Sequence, residues 1–278
     1  VFLYNSKIET GTILKSNSYG DFKVIEDRGS RDVTVEFTLT GTRRVCRRSS
    51  VTDGSIVDPY FPKVAGVGFT GEGVYTHSKN KIDGKVSANR ASRIWSGMLK
   101  RCYVPKNKNF SNYGGNGVYV ASEWHNFQNF AEWYFEWDNG EFELDKDLLC
   151  LGNKEYSKEK CILVPRDVNV FFKSNGTNKK SGLPIGVMFP KDTDRKNPRP
   201  KGYLGTWEKS PRFFTAEECH FAYIEERLEK LKNLLEIHKN SVKDGRFLPA
   251  MLDRVGILEY HLDNKLIFHG WDRCLDSI

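Results

Sequence analysis

The clearest element in the chain is a strict alternation. In Val33-Thr34-Val35-Glu36-Phe37-Thr38-Leu39-Thr40 every second residue is apolar. That is the period of a half-buried strand, and it places Val33, Val35, Phe37 and Leu39 on one inward face. Shorter runs at residues 11–15 and 22–25 sit between Gly and Asn turn signals, and Gly41 closes the alternating strand. Short strands with tight turns over residues 1–60 predict a small curled β-barrel of the Tudor-like kind. Arg43-Arg44-Val45-Cys46-Arg47-Arg48 comes next. Its arginines, Arg43 and Arg44 first, either touch phosphates or keep a solvated strand edge from aggregating.

Residues 61–90 hold Pro62, Gly66, Gly68, Gly71 and Gly73, too many breakers for a helix, and read as an irregular connector. Helical spacing begins beyond it. Ile94, Trp95, Met98, Leu99 and Cys102 share one face, with Arg93, Lys100 and Arg101 outside. After Tyr113-Gly114-Gly115-Asn116-Gly117 a short strand is predicted over Val118–Val120. Ser122 can then cap a helix carrying Trp124, Phe127, Phe130, Ala131, Tyr134 and Trp137. These aromatics read as core.

Further along, strands are predicted at residues 185–189, 203–207 and 212–214. Thr215-Ala216-Glu217-Glu218 forms a capping box. Phe221, Ile224, Leu228, Leu231 and Leu235 then give one apolar stripe, suited to covering a sheet. Residues 240–278 read as a small helical or irregular appendage.

Charge sharpens this picture. The 278 residues carry 43 Lys and Arg against 36 Asp and Glu, a net +7. Between Lys173 and Arg212 ten basic residues face Asp192, Asp194 and Glu208, so those forty positions hold the whole excess. This excludes an acidic nucleic-acid mimic and points to a polyanionic partner. No apolar run approaches a membrane span, and no secretory pattern opens the sequence. The six cysteines sit singly, without a C-x-x-C pair, so no zinc site is expected. They read as reduced thiols in a cytoplasmic protein.

Chemistry concentrates in Leu144-Asp145-Lys146-Asp147, Gly152-Asn153-Lys154-Glu155-Tyr156-Ser157, Cys161-Ile162-Leu163-Val164 and Asn169. The local reading is a strand end, a polar loop, a second strand and a helix bearing Asn169. Such a ββα layout brings the Asp145 carboxylate toward the Asn169 carboxamide. Two hard oxygen ligands with open positions suit Mg²⁺, which retains waters and takes phosphate oxygens.

Residues 144–169 resemble the ββα-metal motif of HNH endonucleases, particularly the phage and homing-type members. Trp95–Tyr103 and Tyr113–Trp124 resemble the segment that precedes the motif. The resemblance implies Asp145 and Asn169 as ligands of Mg²⁺ or Mn²⁺. Two positions depart from the family: Lys146 stands where it has its catalytic His, and Lys160 where it has a middle Asn. Lys146 can supply positive charge at a phosphate. His125 can act as the base only if its segment folds back toward Asp145.

A second resemblance covers about 55 residues. Leu183–Val187, Tyr203–Trp207 and Arg212–Tyr223 are similar to the three-stranded sheet and helix of the plant ethylene-response-factor type of DNA-binding domain. In that family the sheet lies in the major groove. Lys191, Arg199, Lys201, Tyr203, Trp207, Lys209 and Arg212 are the implied contacts, with Trp207 equally assignable to the core.

The expected architecture is therefore α+β. A small N-terminal β-barrel (1–60) and a connector (61–90) precede an HNH-like ββα-metal module (91–180). A basic three-stranded sheet plus helix DNA-binding domain (181–239) and a C-terminal appendage (240–278) follow. The expected activity is hydrolysis of DNA phosphodiester bonds with a divalent cation. A monomer would nick double-stranded DNA, and a homodimer would cut both strands. The rival is a catalytically silent DNA-binding protein, such as a repressor or a genome-associated or virion protein, on the same scaffold. Neither requires a membrane. Both would act in the cytoplasm, that of the infected host cell if the chain is phage-encoded.

Overall fold

In the computed structural model, residues 7–29, 31–76, 79–82, 85–173, 182–189 and 202–271 are described, with backbone only for 79–82 and 85–88. The chain is α+β and divides into two compact units, residues 1–135 and 136–278. The boundary between the two units falls within residues 91–180.

The first unit opens with β1 (Ile13–Lys15), β2 (Asp21–Asp27), β3 (Asp32–Phe37) and β4 (Arg43–Arg47), an antiparallel meander in that order. The expected barrel is not closed among the described residues, since no pairing joins β1 to β4. Val33, Val35 and Phe37 face inward as their alternation predicts. They pack with Phe22, Val24, Ile56 and Val51, the last from the short helix α1 (Arg48–Thr52). Leu39 departs from the pattern and is 65% exposed. The strand ends at Phe37, and a turn reverses the chain before β4, with Gly41 at φ 70° donating its N–H to Phe37 O. Alternation cannot register that reversal.

One charge anchors this sheet. Asp27 is buried and accepts from the Arg48 guanidinium and from the backbone N–H groups of Ile8 and Gly29. Burial pushes its carboxyl up, and these donors outweigh that, holding it down at about 2.

The connector contains a hairpin, β5 (Lys79–Ile82) and β6 (Lys85–Ala88), and leads into α2 (Arg90–Tyr103), whose N–H of Ala91 is capped by the Asn89 side chain. Trp95, Met98, Leu99 and Cys102 are buried as predicted. A Cβ on Gly68 would lie 2.4 Å from Leu99, so that connector glycine permits close approach of backbone to helix. β7 (Tyr119–Val120) and a 3-10 turn at Ser122–His125 precede α3 (Phe127–Trp137). The predicted Ser122 cap is absent, and Asn126 Oδ1 instead takes the N–H of Gln128. Trp124, Phe127, Phe130, Ala131 and Tyr134 are core.

The second unit holds β8 (Glu143–Asp145), β9 (Glu155–Tyr156), β10 (Ile162–Val164) and α4 (Arg166–Lys173). β8 and β10 are antiparallel, Asp145 opposite Ile162 and Glu143 opposite Val164. β11 (Val187–Met188), β12 (Tyr203–Gly205) and β13 (Arg212–Phe213) form a three-stranded antiparallel sheet, β12 central. α5 (Ala216–His238) covers it. Its predicted capping box is formed in full, Thr215 accepting from the Glu218 N–H and Glu218 from the Thr215 N–H. α6 (Phe247–Asp263) lies against α5, with a Lys232–Glu259 ion pair at 2.6 Å. The stretch read as a small helical or irregular appendage is helical over Phe247–Asp263. Phe247, Met251 and Leu258 are buried, and the N–H of Phe268 donates to buried His220.

The depressed Asp27 carboxyl makes the first unit acid-sensitive in a definite window. Its stabilisation is complete above the unfolded carboxylate value near 3.8 and is lost as pH falls through about 2. In Asp27→Asn this dependence should disappear, which thermal unfolding of both proteins between pH 5 and 2 would measure.

Candidate functional site

The residues of interest lie on the ββα unit of residues 143–173. Asp145 ends β8 and is 6% exposed. Its Oδ1 accepts the N–H groups of Asp147 at 2.8 Å and Leu148 at 2.7 Å, which folds the chain sharply out of the strand. No described residue donates to its Oδ2.

Asn169 lies on α4, 1% exposed. Its Nδ2 donates to Oε2 of Glu143, which also takes Lys173 Nζ at 3.3 Å. Glu143 and Asp145 are two positions apart on β8 and share a face. The carboxamide is thus oriented by a carboxylate the sequence reading passed over. Its nitrogen side is committed to Glu143, and Asn169 Oδ1 accepts no hydrogen bond among the described residues. A buried acceptor without a donor is costly, and a cation or a water is its usual partner.

Lys146 is half-buried, and its ammonium donates to Asp147 and, at 2.8 Å, to Asn153 O. Lys160 is exposed and pairs with Glu155 at 2.6 Å. The carboxamide that organises the loop is Asn153, 5% exposed. Its Nδ2 donates to Lys146 O and Glu155 O, and its Oδ1 accepts from the Glu155 N–H. Asn after Gly152 in a polar loop was the available signal for that role. Cys161 beside it is packing, since burial pushes its thiol well above the ordinary range.

His125 belongs to the first unit. Its Nε2 lies 3.3 Å from the Tyr103 hydroxyl, with the rings edge-on, and burial lowers its pKa. Arg43 is bonded to Glu36. Arg44 donates to Val57 O and lies 3.8 Å from Glu72. Both arginines are therefore engaged at the sheet edge.

On the basic sheet, Lys191, Arg199 and Lys201 lie outside the described residues. Register sorts the others. Gly205 pairs with Val187, and Tyr203 with Phe213, so all four point toward α5. Trp207 folds over Gly205 and lies 5.9 Å from the ring of Tyr223 on α5, which favours core for that tryptophan. Met188, Leu204 and Arg212 occupy the opposite face. Lys209 is exposed at the β12–β13 turn with φ 60°. Phe214, not among the predicted contacts, follows Arg212 by two positions and is 91% exposed. A solvated phenylalanine one strand period from an arginine was visible in Arg212-Phe213-Phe214, but the core-facing member of the pair could not be told from sequence.

The chemistry suits a small hard cation such as Mg²⁺: one carboxylate oxygen and one carboxamide oxygen, both without a donor among the described residues. Among the described residues no group of three or more His, Cys, Asp or Glu could hold a metal. No helix among the described residues is long and apolar enough to cross a membrane. No protein-family model, curated protein or solved structure matches the chain.

Asn153→Ala removes three hydrogen bonds and strands two partly buried carbonyls, at a cost of about 1–3 kcal/mol. Urea unfolding monitored by fluorescence should show it, whereas Lys160→Ala, an exposed pair, should change stability by less than about 0.5 kcal/mol.

Proposed function

We propose that the chain is an HNH-type protein that binds double-stranded DNA and hydrolyses its phosphodiester bonds with a divalent cation held by Asp145 and Asn169. The observation that carries this reading is the pair of oxygens without donors, Asp145 Oδ2 and Asn169 Oδ1, at the strand end and on the helix of one ββα unit. A bound Mg²⁺ or Mn²⁺ would polarise a phosphate oxygen and offset charge developing on the leaving group. The chain's own residues orient the ligands. Glu143 fixes the Asn169 carboxamide, and the turn at Asp147 and Leu148 fixes the Asp145 carboxylate. Lys146 contributes positive charge beside them.

Duplex binding falls to the sheet of the second unit. Arg212 and Lys209 supply charge to phosphates, and Phe214 an aromatic face for a base or sugar. The net +7 of residues 173–212 supports a polyanionic partner. An HNH-like module followed by an ethylene-response-factor-type domain, working in the cytoplasm, belongs to the same proposal. One module acts on one strand, so a monomer nicks.

A second reading, a silent DNA-binding protein, is favoured by one observation. The Lys146 nitrogen is occupied as a donor to Asp147 and Asn153 O, where the family resemblance calls for a base.

Supercoiled plasmid incubated with protein and Mg²⁺ or Mn²⁺ separates the two. The nuclease reading predicts metal-dependent nicking, reduced at least about a hundredfold in Asp145→Asn, which keeps an acceptor for the turn while removing charge. Salt-sensitive binding without nicking in either metal would establish the silent reading. In fluorescence anisotropy, Arg212→Ala should flatten the log–log salt dependence by about 1. Phe214→Ala should weaken binding with the slope unchanged. Unchanged binding in both variants would remove the sheet from the interface.

A further inference from the structure

The chain between Asp145 and Ile162 is tied at both ends by arginines from the C-terminal segment, and these ties continue into the candidate site. Arg254, on α6 and 3% exposed, donates from Nη2 to Leu148 O and, at 3.3 Å, to Asp147 O. The carbonyl of Asp147 and the N–H of Leu148 belong to one peptide group. That group accepts from Arg254 on one side and donates to Asp145 Oδ1 on the other, at 2.7 Å. A guanidinium therefore reaches the Asp145 carboxylate through a single intervening amide, whose dipole it both orients and polarises.

Arg246 makes the matching tie at the other end. Its guanidinium is held by Asp244 at 2.7 Å and donates to the carbonyls of Lys158, Glu159 and Cys161, directly before β10. Planar forks with several fixed donors can hold consecutive carbonyls in this way, and a lysine cannot reproduce the pattern. Neither arginine has a described ligand role, and the carbonyls they hold have no strand ladder to satisfy them.

We infer that α6 is a working part of the ββα site, with Arg254 a positioning residue for Asp145 and Arg246 its counterpart at the start of β10. The role in cation binding rests on the reading of Asp145 as a ligand; the positioning of the turn stands apart from it. Without Arg254, the peptide between Asp147 and Leu148 loses the clamp on its carbonyl side, and the Asp145 carboxylate is held less firmly in its direction.

The test uses the full chain without metal, then with Mn²⁺. Arg254→Met keeps the aliphatic stem and removes the fork, and Arg254→Lys keeps charge. Lys232→Met, which breaks a surface pair between α5 and α6, controls for general loosening of the helix pair. Hydrogen exchange of the Asp147 and Leu148 amides should accelerate at least tenfold in Arg254→Met, less in Arg254→Lys and not in Lys232→Met. Mn²⁺ affinity, by titration calorimetry, should fall at least tenfold in the same order. Unchanged amide protection in Arg254→Met, or equal acceleration in Lys232→Met, would overturn the positioning role. Should Arg254→Met not fold, Arg246→Met decides the matter through the Ile162 amide, whose peptide group carries the Cys161 carbonyl, with the same tenfold criterion. Absence of Mn²⁺ binding in the wild type would overturn the cation reading and the α6 contribution to it, while exchange still decides the positioning claim.

Discussion

A buried loop has to find partners for its backbone, and that requirement shapes the second unit. Between Asp145 and Ile162 only β9 is regular, yet Asn153, Ser157 and Cys161 are buried. Unpaired amides and carbonyls there would cost more than the loop's few apolar contacts return. Side chains do what a ladder does elsewhere. Asp145 takes two N–H groups, Asn153 bridges two carbonyls and an N–H, Lys146 reaches back to Asn153, and Arg246 and Arg254 close both ends. The carboxylate proposed to meet a cation is thus also the residue that turns the chain out of β8. Under the proposal, one oxygen of Asp145 holds the turn and the other meets the cation.

Charge follows a similar division. Acidic neighbours hold Arg43 and Arg44 at the first sheet, so those arginines stabilise an edge in the folded chain. In the second unit, Arg246 and Arg254 point inward at carbonyls, and Arg227 is buried against the Phe171 ring, its guanidinium 3.8 Å from the centroid, donating to Phe171 O. A count of basic residues mixes these internal clamps with cations on the surface. Arg212 and Lys209 belong to the surface group, on the side of the sheet away from α5 and at its turn.

Local signals were legible wherever neighbours in sequence decide the outcome. The alternation from Val33 to Phe37, the periodic faces of α2 and α3, the Thr215–Glu218 box and the order strand, loop, strand, helix around Asp145 and Asn169 all depend on residues a few positions apart. Leu39 failed because a turn at Gly41 reverses the chain within one strand period. Glu143 was missed because its tie to Asn169 spans 26 positions, and Arg246 and Arg254 because theirs span 85 to 107. No short pattern marks an arginine that holds distant carbonyls, so residues 240–278 read as an appendage. Trp207 was ambiguous for another reason: an aromatic beside a glycine in a strand serves a ligand or a core equally well, and only the position of Tyr223 on α5 distinguishes them.

The proposed function requires that the oxygens of Asp145 and Asn169 meet one ion. Paramagnetic broadening by Mn²⁺ in side-chain amide NMR spectra addresses it directly, since broadening reports distance to the ion whether or not DNA is cut. The account predicts that the Asn169 carboxamide signal disappears at the lowest Mn²⁺ additions and persists in Asp145→Asn, while surface carboxamides such as Asn129 remain sharp. Broadening centred on other residues, or equal loss of the Asn169 signal in Asp145→Asn, would contradict it.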